Sequence, residues 1–206
     1  MKYVNQLDYP YVVYQTNTDD PTDLRRSHGT FAMSGCGLAS AVMVADRLLE
    51  GCGFGVFDAV ALSYESGANH AIGTDYAVYA PAFAEKLGLE FRETNDTDEV
   101  RNCLRTGGAV VALSTGDRPD GHVGLFTHGA HFITLIYELR DGRVAILDPS
   151  LKEGKYDEEG RKDKAQVDGH LVYAALEDVL GDFDVETNLK RGSAETTAFW
   201  CFWKKI

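Results

Sequence analysis

No stretch of this sequence approaches the roughly 18 consecutive apolar residues that a membrane-spanning helix needs. The opening MKYVNQLDYPYVVYQ also lacks the continuous apolar centre of a secretion signal, so the expectation is a soluble, cytoplasmic protein. Basic residues are in short supply, with 20 Lys and Arg against 32 Asp and Glu and a formal net charge of −12. Nucleic-acid binding relies on cations that neutralise phosphates, so this balance argues against a nucleic-acid partner and for a solubilising acidic surface. There are four cysteines, Cys36, Cys52, Cys103 and Cys201, with no CxxC pair among them, and so sparse a set reads as reduced thiols rather than a disulfide framework. Only five residues are proline, and no segment is biased enough in composition to be a linker or low-complexity tail. With 44% hydrophobic residues in 206, the chain can bury one good core, and a single domain over residues 1–206 is expected.

Periodicity divides that domain into a helical half, about 1–106, and a sheet half, about 107–206. In GLASAVMVADRLLE (37–50), Leu38, Ala41, Val42, Ala45, Leu48 and Leu49 recur at helical spacing before Gly51. Further helices are expected near 56–65, near 75–87 with a bend or restart at Pro81, and near 97–105 with a cap from Asp96 or Thr97. Strand-like runs follow at 109–114, 122–126, 130–139 and 143–148, the last two joined by Asp141-Gly142 as a hairpin. After a polar stretch from 152 to 168, LVYAAL and TAFWCFW supply more β-prone sequence around a short helical piece near 176–182. Helices first and strands afterwards is an α+β order with a mainly antiparallel sheet, and a cleft between the two parts is expected.

Chemistry is suggested by three residues. Cys36, between Ser34-Gly35 and the helix, stands where unpaired backbone N–H groups and the helix dipole favour a thiolate. Gly35 and Gly37 are expected to leave its sulfur unobstructed and to let a substrate backbone approach. His131 opens a strand and can take and return a proton near neutral pH. Asp148 ends the next strand and can hold that imidazole in one orientation. With the turn at Asp141-Gly142, His131 lies ten residues before it and Asp148 six after, which brings both to the same edge.

These residues carry a resemblance. SGCGLASAVMV, HFITL and AILDPS together look like the bacteriocin-processing, double-glycine leader peptidases of the papain-like cysteine peptidase superfamily, over roughly residues 1–150. The resemblance implies a papain-like α+β fold, with a central helix carrying Cys36 packed on a C-terminal antiparallel sheet. It also implies peptide or related amide hydrolysis by a Cys36–His131–Asp148 triad through an acyl-enzyme, with a peptide or protein as partner. A glutamine whose side-chain amide helps to hold the oxyanion is a further implication. Residues 30–35, TFAMSG, contain none, so Gln6 in NQLDYP is the candidate and Gln15 its competitor.

Two other readings of the same parts stay open: an acyl transferase, and a non-catalytic peptide-binding module of the same fold. No cofactor is expected, because GCGFG at 51–55 lacks the Lys-Ser/Thr of a phosphate-binding loop. No metal is expected either. His122, His128 and His131 are close in sequence, but strand alternation would point their rings in different directions.

Overall fold

β-prone runs become strands only when each finds partners, and here they pair into one sheet. The computed structural model describes residues 1–70, 73–190 and 195–205. Its strands are β1 (Leu89–Thr94), β2 (Ala109–Ser114), β3 (His131–Glu138), β4 (Arg143–Leu147), β5 (Ala165–Asp168), β6 (Leu171–Ala175) and β7 (Phe199–Lys204). They lie in the order β1-β7-β2-β3-β4-β6-β5, and these neighbours pair antiparallel throughout. β2 is buried at every position. Ala109, Val111 and Leu113 join one core cluster while Val110 and Ala112 join another, as a period of two requires of a strand covered on both faces. The expected hairpin forms: Leu139 N donates to Arg143 O at 2.7 Å, and Gly142 takes the left-handed φ of +84° that the turn needs.

Helices cover both faces. Around α1 (Leu24–His28) and α2 (Phe31–Ser34), a buried framework is built by α3 (Cys36–Leu48), α4 (Val56–Ser66) and α5 (Tyr76–Leu87), which share a core with Trp200 and Phe202 of β7. α6 (Thr97–Arg105) and α7 (Leu176–Leu180) pack on the other face, and α8 (Val185–Lys190) follows. α3 is buried on nearly all sides, since Ala39, Ser40, Met43 and Val44 are enclosed along with the expected apolar face. It packs against β2 and β3 as well as α4 and α5, so it is a central helix and not an amphipathic surface helix.

Several elements depart from the sequence expectation. α5 runs unbroken through Pro81; the carbonyl that loses its partner is that of Ala77, and both residues are on the exposed side, where water can replace the bond. β1 falls within the helical half, because LEFRET finds a partner in β7 at the sheet edge. HVGLF (122–126) is not a strand. Leu125 N donates to the buried carboxylate of Asp182 at 3.0 Å and Gly124 N to Asp117 at 2.9 Å, so N–H groups that a ladder would use are already taken. β5 arises at the end of the polar stretch as the outer partner of β6.

Candidate active site

Cys36 is the first residue of α3, after Gly35 at the cap position, and it is part-exposed. The flanking glycines serve packing rather than access. A Cβ on Gly35 would stand 2.5 Å from the Phe31 carbonyl oxygen and 2.7 Å from its ring, and one on Gly37 would touch Phe132 and Tyr76 at 3.2 Å. They let α2, β3 and α5 close around the start of α3. Gly35→Ala is therefore expected to cost about 1–3 kcal/mol of stability, as overpacking against fixed backbone does. Denaturant unfolding checks this, and an unchanged midpoint would show that the turn has room to yield.

β2 and β3 bring His131 to the same end of the sheet as α3. His131 pairs with Ser114, Thr134 Oγ1 of β3 donates to Ser40 O of α3 at 3.3 Å, and the imidazole is close enough to the Cys36 thiol for each to shift the other's pKa. The hairpin register then delivers Asp148. Thr134 lies opposite Leu147, with a bulge between Leu135 and Tyr137, so Asp148 is one step beyond the paired end of β4. His131 Nε2 is 2.8 Å from Asp148 Oδ1, which leaves Nδ1 for Cys36. The three residues singled out in the sequence thus lie together, His131 bonded to Asp148 and interacting electrostatically with Cys36, with His131 and Asp148 both buried.

Charges in this chain support one another. Burial pushes the Cys36 thiol up, but the hydrogen bond and charge of His131, with the N–H groups of Phe132 and Gly37, outweigh it, and the thiol lies below its ordinary value. Burial lowers His131, yet hydrogen bonds and charge from Asp148 and Cys36 raise it overall. Asp148 is raised by burial and lowered further by His131 and Lys155, so it stays ionised well below the usual carboxylate range.

Four more side chains surround Asp148, and none was singled out for a role from the sequence. Ser150 N donates to Oδ1 at 2.9 Å, and Ser150 Oγ is 3.0 Å from His131 Nε2. Lys155 Nζ and Tyr156 OH donate to Oδ2 at 2.5 and 2.7 Å. Tyr3 OH donates to the Asp148 carbonyl at 2.7 Å. Ser150 belongs to the Asp-Pro-Ser turn, but Lys155 and Tyr156 lie in a charged stretch whose composition looks like solvated loop.

Of the two glutamines, Gln6 bonds to residues that flank the site, and Gln15 bonds elsewhere. Gln6 is buried in a short 3-10 turn (Gln6–Asp8). Its backbone N–H donates to Pro149 O at 2.7 Å and its Nε2 to Ala32 O at 2.8 Å, so it joins the Asp148 turn to the segment entering α3. The amide has a second N–H beyond that bond. Gln15 Nε2 donates to Ser27 O instead. The histidines diverge: His122 pairs with Asp182 and His128 with Asp117 and Glu158. Among the described residues no group of three or more His, Cys, Asp or Glu converges as a metal site, and no helix among them is long and apolar enough to cross a membrane.

No protein-family model matches the sequence, and no curated protein matches it. The fold has a solved counterpart, a crystal structure from Bacillus anthracis described as that of a "putative C39-like peptidase". The two are 14% identical and superpose with a TM-score of 0.51 over 100% of this chain and 99% of that one. The mixed helical and antiparallel architecture of this chain is therefore that of a C39-peptidase-like fold.

Proposed function

We propose that the chain is a cysteine peptidase with a papain-like arrangement, one domain over residues 1–206, related to the double-glycine leader peptidases. The observation that carries this reading is the His131–Asp148 hydrogen bond beside Cys36 at the N-terminus of the buried helix α3. A structural cysteine has no need of an imidazole so held.

The proposed reaction begins with the thiolate of Cys36 and the imidazolium of His131. Sulfur attacks the scissile carbonyl carbon, and its electrons move to the oxygen, where the second Gln6 N–H and the backbone N–H of Cys36 would meet the developing charge. Collapse expels the amine, which takes the proton from His131. Water then attacks the thioester, giving its proton to the now neutral His131, and the acid leaves as Cys36 is regenerated. Asp148 keeps Nε2 engaged throughout, so Nδ1 faces the sulfur. The four cysteines are free thiols, which suits a reducing, cytoplasmic setting.

The test is a peptide library incubated with the protein, followed by mass spectrometry of products and of Cys36. Turnover with a transient acyl adduct on Cys36 is expected. An amine-dependent product would favour the transferase reading. Tight binding with no cleavage and no adduct would sink both in favour of the peptide-binding module. Once a substrate is in hand, Gln6→Ala should lower kcat by about 10²–10³-fold with little change in KM, as removal of an oxyanion donor does. An unchanged kcat would remove Gln6 from the site.

A further inference from the structure

Burying an ammonium is costly, and lysines are almost never enclosed unless paired, yet Lys155 is only 6% exposed. Its Nζ lies 2.5 Å from Asp148 Oδ2 and 2.7 Å from Ser150 Oγ. The opposite oxygen, Oδ1, is 2.8 Å from His131 Nε2, and the same Ser150 Oγ is 3.0 Å from that nitrogen. One carboxylate is thus shared between an imidazole and an ammonium, one on each oxygen, with a serine hydroxyl touching both. An aspartate that only oriented His131 would have no use for a buried cation behind it.

We propose that Lys155 is a positioning residue of the thiol site, which clamps the Asp148 carboxylate from behind and offsets its charge, so that His131 is oriented without being locked as an imidazolium. The inference rests on the reading of Cys36 and His131 as nucleophile and base. An unopposed carboxylate in a low-dielectric interior stabilises a neighbouring imidazolium strongly. An imidazolium that gives up its proton too reluctantly protonates the leaving amine poorly and cannot then serve as base. A second positive charge on the same carboxylate subtracts from that stabilisation.

The groups facing Lys155 are consistent with this role. The Tyr156 ring lies 5.8 Å from Nζ, and its hydroxyl donates to Asp148. Arg161 donates to the Lys155 carbonyl at 3.5 Å, and its own charge is met by Glu158 at 3.2 Å. Tyr3 donates to the Asp148 carbonyl, and Cys36 lies beyond His131. Asp148 is the group that directly balances the Lys155 ammonium.

The experiment follows the His131 ring by NMR across a pH titration in wild type, Lys155→Arg, Lys155→Gln and Lys155→Met, with thermal unfolding as a check on folding. Lys155→Arg keeps the charge and should leave the His131 midpoint in place. The two neutral variants should raise it by about one pH unit, as removal of a nearby like charge does. A purely structural lysine would not move it. Met is an apolar chain of similar length and leaves Asp148 with its bonds from Tyr156, Ser150 and His131, so a folded neutral variant does not depend on fitting the Gln amide. A midpoint unmoved in a folded neutral variant overturns the inference, and so does a Lys155→Arg shift equal to that of Lys155→Met. Cys36 alkylation in the wild type separates the two readings. If Cys36 reacts no faster than the exposed Cys52, the thiol-site reading falls and takes this inference with it. If Cys36 is fast but the His131 midpoint does not move, the Lys155 inference alone falls.

Discussion

Replacing Cys36 with alanine is expected to end peptide hydrolysis, a loss on the order of a million-fold in kcat for a residue that forms the covalent intermediate. The same claim can be tested before any substrate is known. At pH 6 an ordinary thiol of pKa about 8.5 is only about 0.3% thiolate. Cys36, with the charge of His131 and helix N–H groups beside it, is held below the ordinary thiol value and should carry a larger thiolate fraction there. Lower basicity makes a thiolate less nucleophilic and takes back part of that gain, but Cys36 should still react several-fold faster toward iodoacetamide than Cys52. The comparison is internal to the protein: Cys52 is exposed, while Cys103 and Cys201 are buried and should react only on unfolding. His131→Ala should abolish the advantage of Cys36 without touching Cys52. Equal rates at Cys36 and Cys52 in the wild type, across the pH range, would defeat the proposed chemistry and leave a binding module.

Asp148→Asn should damage both catalysis and stability, and the two losses have different origins. In catalysis, an amide in place of the carboxylate removes the charge that supports the imidazolium and permits the wrong tautomer of His131, a change that costs about 10⁴-fold in kcat at sites of this kind. In stability, the loss comes from Lys155, which is left buried opposite a neutral group; breaking a buried pair from one side costs about 3–5 kcal/mol. For a chain of this size that is a fall in Tm on the order of 10 °C. The sign of the pH dependence follows from Asp148, whose folded pKa lies well below its unfolded one. Its contribution is fully present above the unfolded value of about 3.9, and it is lost as pH falls below that toward the folded value. Wild type and Asp148→Asn should therefore differ most at neutral pH and converge in acid. Urea unfolding at about pH 7 and about pH 3 measures the convergence, and a gap that did not narrow in acid would mean that Asp148 does not carry the charge in question.

Local pattern was enough to place most of the elements. The apolar spacing after Cys36, the Asp96 cap, the Asp141-Gly142 turn and the aromatic run at 199–203 each act over a few residues, and their physics is the same in a peptide as in the fold. The three residues proposed to act together were likewise visible, because each sits at an element boundary where a polar side chain can meet a cleft. Gln6 was visible only through the resemblance, and its contacts with Ala32 and Pro149 are long-range ones that no local pattern encodes.

Tertiary structure alone decided the rest. HVGLF has a strand's composition, yet Asp182, nearly 60 residues away in sequence, takes its N–H group. Gly35 and Gly37 looked like openings for substrate and proved to be contact points for Phe31, Tyr76 and Phe132. Lys155 shows the limit most clearly. In sequence it is one cation in a charged stretch, since nothing in the order of residues distinguishes an ammonium in water from one enclosed. What changes its meaning is a carboxylate seven residues away, brought against it by the turn after β4. The sequence by itself determined which residues could do chemistry and which segments could be helix or strand, because those are properties of local atoms. Which charges are buried, and against what, depends on the solvent that packing removes, and that was decided only by the fold.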